Sequence, residues 1–171
     1  MKALLALLLV LGAAVAQAQD YGREARWAAE VKANLVVGDA VALKLPSGRE
    51  FLGLWTEAAG TKPAILLVHG VGVHPDHGVI GILRASLAEA GFATLSIQMP
   101  VQASDAKLDD YYPAVFPEAG ERIAAGAAWL RAKGAARVVL LSHSMGSWMS
   151  NVYFENTPNP PFAAWICTGL T

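Results

Sequence analysis

The chain has 171 residues, with 13 Lys and Arg against 14 Asp and Glu, 54% apolar residues and one cysteine, a size for one domain or part of a larger one. A formal net charge of −1 excludes the basic footprint that phosphate backbones and anionic membranes require, so nucleic acid is not an expected partner. With five Trp, five Phe and four Tyr, the chain is too apolar to stay disordered and has the material for a core.

The chain opens with Lys2, an apolar run from Ala3 to Val15 and Ala16-Gln17-Ala18. A positive charge, an apolar stretch and an A-x-A site form the pattern of a secretory signal peptide over residues 1–18. The run is shorter than the roughly 20 apolar residues of a membrane-spanning helix, so no span is expected after cleavage. No Cys follows the site, which separates it from lipid-anchored export signals. A periplasmic or secreted location is therefore expected. Cys167 is alone, cannot form an internal disulfide and is expected to be a buried apolar residue.

After this leader, residues 19–39 form a lead segment with a short helix expected over Glu24–Ala33. Ala40–Leu45 and Glu50–Trp55 flank Pro46-Ser47-Gly48, the signature of a hairpin. Ala64–Val68 is apolar at every position, as a strand covered on both faces must be. A helix is expected next, with Ile80, Leu83, Leu87 and Ala90 on one face, Arg84 and Glu89 on others, and Gly91 as its stop. Ala93–Ile97 reads as a strand. The following loop, rich in Asp and Tyr (Asp105, Asp109, Asp110, Tyr111, Tyr112), leads to a helix over Pro117–Lys133, with Glu118 and Arg122 at i,i+4 spacing. Arg137–Leu141 is a further strand, Met145–Phe154 a helix in which Trp148 and Met149 are expected to pack in the core, and Phe162–Cys167 a last apolar run. This alternation predicts an α/β fold: a mostly parallel, doubly wound sheet with helices on both faces and an N-terminal β-hairpin.

The most informative segment is Leu141-Ser142-His143-Ser144-Met145-Gly146, placed where a covered strand turns into a helix. A nucleophile elbow needs small residues two positions either side of its serine, because strand and helix must approach closely while the strained turn projects Oγ. Ser142 and Gly146 meet that size requirement, although the G-x-S-x-G pattern normally starts with Gly. Upstream, the strand ending at Val68 runs into His69-Gly70-Val71-Gly72. Glycines 70 and 72 allow a backbone turn whose Val71 N–H, with that of Met145, could bind a developing oxyanion. Both segments end predicted parallel strands, the edge where open α/β sheets gather ligands.

On these residues the sequence resembles the α/β-hydrolase superfamily from about Ala40 to the end. Gly72-Val73-His74-Pro75-Asp76 and Leu95-Ser96-Ile97-Gln98-Met99-Pro100 further resemble an uncharacterised branch of exported bacterial hydrolase-like proteins. The resemblance implies hydrolysis of a small-molecule acyl substrate, expected to be a carboxylic ester, through a covalent intermediate on Ser144, with no cofactor. It also implies an acid and then a histidine downstream of the serine. All four histidines (His69, His74, His77 and His143) precede Ser144. The expectation is accordingly a partial hydrolase domain over residues 40–171, with C-terminal strands missing and an apolar strand around Trp165 at an open sheet edge. His69, His74 and His143 are expected to line the pocket, His74 or His77 beside Asp76 is the alternative base, and the spacing of these residues matches no zinc pattern, so no metal is expected. The competing reading is a noncatalytic hydrolase-fold module binding an envelope ligand or partner.

Overall fold

A computed structural model describes residues 19–60 and 62–169, except the side chains of Tyr112 and Pro113. The expected signal peptide lies outside the described residues. No described helix is long and apolar enough to cross a membrane.

Helix α1 spans Tyr21–Asn34. It begins earlier than its apolar residues suggest, because the Asp20 carboxylate accepts the Arg23 N–H at 2.8 Å and so caps the helix. Strands β1 (Asp39–Lys44) and β2 (Glu50–Thr56) form the expected hairpin, with Leu43 opposite Phe51. β3 covers Ala64–Val68, buried throughout, and leads to α2 (Gly78–Glu89) and β4 (Thr94–Ile97). The Asp- and Tyr-rich segment is not plain loop: it holds a 3₁₀ turn, Leu108–Asp110, and the short helix α3, Tyr111–Ala114. Then follow α4 (Phe116–Ala132), β5 (Val138–His143), α5 (Met145–Asn156) and β6 (Ala164–Thr168).

The six strands are ordered β1-β2-β4-β3-β5-β6. β4, β3, β5 and β6 run parallel, and β2 joins β4 antiparallel. Alternation along the strands sorts side chains onto two faces. Leu66, Val68, Leu95, Ile97 and Leu140 pack with Ile123 and Leu130 of α4 and Met149 and Tyr153 of α5. Ile65, Leu67, Val139 and Leu141 pack against Ile80, Leu83 and Leu87 of α2. Leu52 and Leu54 share that second face through their register with β4, and Val31 of α1 covers them. Each such buried aliphatic side chain contributes about 1.5–3 kcal/mol, so the sheet centre carrying the β3 and β5 ends is the best-anchored part of the fold.

Two expectations are corrected. Arg84, placed on a polar face of α2, is only 2% exposed. Its Nε donates to Asp76 at 2.6 Å and its Nη1 to the Val37 carbonyl at 2.8 Å, which is what makes a buried guanidinium tolerable. Cys167 is exposed rather than buried, because β6 is the outermost strand beside β5 and packs against a neighbour on one side.

Candidate active site

At the end of β5 the backbone leaves the strand abruptly. Ser144 has φ 53° and ψ −129°. Among the described non-glycine residues, it and Asn159 alone have positive φ. A side chain held there carries roughly 1–3 kcal/mol of strain and persists only where the surroundings over-determine it. They do so here. The Ser144 N–H donates to the Thr168 carbonyl at 3.0 Å, and the Ser144 carbonyl accepts from Ser147 N–H at 2.8 Å. Gly146 lies so close to the end of β3 that a Cβ would sit 2.8 Å from the Val68 carbonyl oxygen and nearer still to that of His69. A Cβ on Gly70 would come within 3.1 Å of Ser144 Cβ. Gly146 is therefore required where α5 starts against the end of β3, Gly70 sits in tight contact with Ser144, and Gly72, at φ 67°, is required by the turn itself.

Ser142, which stands where the motif normally has Gly, is fully buried. Its Oγ donates to Ser147 Oγ at 3.1 Å and accepts the Trp165 indole N–H at 2.8 Å. The hydroxyl thus ties β5 to α5 and β6, a role that small size alone does not reveal. Val71 lines a cleft of about 300 Å³ together with Ser144, His69, Gly70, His77 and His143. Met145 opens α5, so its N–H belongs to the first-turn donors that have no carbonyl partner within the helix.

The histidines divide sharply. His69 is buried, with Nδ1 2.7 Å from the Gly70 carbonyl and Nε2 accepting the Met99 N–H at 2.8 Å. That pairing makes Nδ1 the protonated nitrogen. Burial pushes its pKa down to about 3, against a smaller upward pull from the Gly70 carbonyl. His69 is a neutral brace between the β3 and β4 ends, with neither nitrogen available to Ser144. His143 turns Nδ1 toward Thr168, 3.2 Å from both its carbonyl and its hydroxyl oxygen. His74 stays out of the cleft: its ring stands edge-on between Trp27 and His77. Burial, then the charge of His77, lowers its pKa. His77, the other histidine of that loop, borders the cleft. Asp76, the neighbouring carboxylate, is committed to Arg84.

Two residues to which the sequence assigns no part in the site, Gln98 and Arg122, support this arrangement. Gln98 places Nε2 3.1 Å from His69 Nε2 and donates to the Met99 carbonyl at 2.8 Å. Its backbone carbonyl accepts from Arg122 Nη1 at 2.9 Å. Arg122, fully buried, also forms a two-pronged pair with Glu24 at 2.8 and 3.0 Å and bonds Glu118 at 2.6 Å. The i,i+4 spacing of Glu118 and Arg122 was legible, but Glu24 lies on a distant helix and gave no local signal. Among the described residues, no three His, Cys, Asp or Glu side chains gather as a metal site.

Residues 3–120 match the family described as Protein of unknown function (DUF3530), a match that stops short of the elbow. No curated protein matches the chain. Solved structures that resemble it include an esterase from Pyrococcus furiosus (16% identity, TM-score 0.59, covering 76% of this chain and 55% of that one). A dienelactone hydrolase from Anabaena variabilis gives 19% and 0.59 over 75% and 61% of the two chains, and an epoxide hydrolase from Vigna radiata 15% and 0.55 over 77% and 40%. The chain spans less than two thirds of the length of each, and at such identities the likeness is one of fold. The chain has the α/β-hydrolase fold and belongs to the DUF3530 family.

Proposed function

We propose that this protein is an exported serine hydrolase acting on carboxylic esters through an acyl-enzyme on Ser144. The observation that carries the reading is the strained Ser144 backbone at a strand-to-helix junction, clamped by Gly70 and Gly146, with a cleft at its side. Strain of this kind at a solvent-accessible serine has a use where a nucleophile must be presented. In the reaction, Ser144 Oγ attacks the ester carbonyl carbon and loses its proton. The developing oxyanion is held by the Val71 and Met145 N–H groups, the alcohol departs with a proton, and water then releases the acid. Esterases among the structural neighbours and the leader pattern of residues 1–18 support the substrate class and the export.

The serine proton needs an acceptor. Among the described residues in or beside this cleft, His69 is spent on Gly70 and Met99, the Nδ1 of His143 faces Thr168 and Asp76 is paired with Arg84, and His77 is the acceptor we take as the candidate to test. The test is incubation with p-nitrophenyl acetate followed by peptide mass spectrometry. An acetyl adduct on Ser144, absent in Ser144→Ala, supports the reading. A folded protein that never acquires the adduct overturns it and favours the noncatalytic module. Loss of the adduct in His77→Gln assigns the proton to His77, and unchanged acylation places the acceptor elsewhere.

A further inference from the structure

α5 carries two adjacent residues with opposite fates. Met149 is fully buried, whereas Trp148, one position earlier, is 50% exposed. Trp148 shares a groove of about 430 Å³ with Phe116, Met145 and Val152, a volume typical of small-ligand sites, which span roughly 300–1,000 Å³. Leu108, 59% exposed, forms part of its wall, and Asp109 and Glu155 are the acidic groups lining it. Beyond Phe116 and Val152 lies a further hollow of about 560 Å³. Met145, a groove residue, follows Ser144 in the chain, so the groove begins one residue from the serine although it shares no lining residue with the Ser144 cleft. From Met145 the helix advances about 4.5 Å to Trp148 and about 10.5 Å to Val152, so the groove leads away from the elbow along one helix face.

We propose that this groove binds an uncharged apolar group of the substrate, an alkyl chain or a single aromatic ring, whose carbonyl lies at Ser144. The assignment rests on the reading of Ser144 as the nucleophile. The walls are mainly apolar (Leu108, Phe116, Met145, Trp148 and Val152), so a strongly hydrated group would lose more water than Asn151 and the two carboxylates replace. Asp109 and Glu155 repel an anionic one. The Ser144 cleft, bordered by three histidines, takes the more polar side of the ester.

The test measures binding by calorimetry on the folded Ser144→Ala protein, so that it needs no turnover. Alkyl methyl ketones from butyl to octyl serve as neutral ester mimics, with decanoate as the anionic control. Affinity is expected to rise about three-fold per added methylene, to fall at least ten-fold for the octyl ketone in Ser144→Ala/Trp148→Ala, and to be largely kept with Phe at position 148. Decanoate should bind at least ten-fold more weakly than the octyl ketone, with the gap narrowed by Asp109→Asn and Glu155→Gln. Affinity that ignores chain length, or that survives Trp148→Ala unchanged, overturns the proposal. If wild-type protein acylates at Ser144 while the ketones ignore Trp148, the groove assignment fails and the nucleophile stands. If the ketones bind as expected but no adduct forms, the groove stands as an apolar binding site and the ester chemistry fails.

Discussion

The ends of β3 and β5 lie side by side, with His69 directly after β3 and His143 the last residue of β5, yet they are held in opposite ways. At β3, His69 is buried and bonded at both nitrogens, and through Gln98 it joins the Arg122 network that reaches α1. At β5 the ring of His143 is partly exposed beside Thr168, and the defining feature is the strained backbone of Ser144. One junction is held by a buried hydrogen-bond network, in which Gln98 Oε1 alone of the named groups has no partner, and the other by a strained backbone. The comparison teaches that residue type and topological position do not assign a role here. The partners of each nitrogen do, and they make His69 a brace between the β3 and β4 ends.

Removing the network behind the β3 junction should have the largest effect. Arg122→Ala leaves Glu24 and Glu118 partly buried beside no cation, and a loss of about 3–5 kcal/mol is expected in denaturant unfolding. A loss below 1 kcal/mol would show that the brace does not depend on this network. Gly146→Ala attacks the contact between the two junctions. Its new methyl meets backbone carbonyls that cannot swing aside, so a loss of up to roughly 3 kcal/mol is expected, together with loss of acylation at Ser144.

The pH dependence sharpens the contrast. A histidine held at about 3 in the folded state, against 6.5 unfolded, takes up its proton first in the unfolded chain. The stability it confers is complete above 6.5 and falls as pH drops toward 3, by about 1.4 kcal/mol per pH unit. His74, also lowered, adds in the same direction. Unfolding midpoints measured across this window should fall steeply for wild type and less steeply for His69→Gln; parallel slopes would remove His69 from the brace. The smallest effect is at the strained side. Ser144→Gly and Ser144→Ala both delete Oγ, but only glycine relaxes the positive φ, so Ser144→Gly should be the more stable by about 1 kcal/mol. Equal stability would mean that the junction stores no strain.

Much of this architecture was legible. The unbroken apolar run of β3 gave its bounds residue for residue, and the small residues around Ser144 placed the elbow, because both depend on local sequence. The errors share a physical cause. Arg84 was read from its helical position, but its buried partners Asp76 and Val37 lie in other segments. Trp148 was read with Met149 as core, although one step along a helix turns a side chain by about 100° and sends the two to different surroundings. Cys167 is expected to be buried because a lone cysteine behaves as a small apolar residue, but its place on the outermost described strand exposes it. His77 borders the cleft as expected, whereas His74, also expected there, lies outside it with its ring against Trp27 from far upstream.

The central claim, that the strained serine of β5 is the nucleophile, is tested most directly by fluorophosphonate labelling of the chain from Gln19 to Thr171, with the modified residue located by mass spectrometry. The account predicts a single adduct on Ser144 that disappears in Ser144→Ala and is unaffected by Trp148→Phe. An adduct that survives Ser144→Ala, or a folded chain that takes no label, would contradict it.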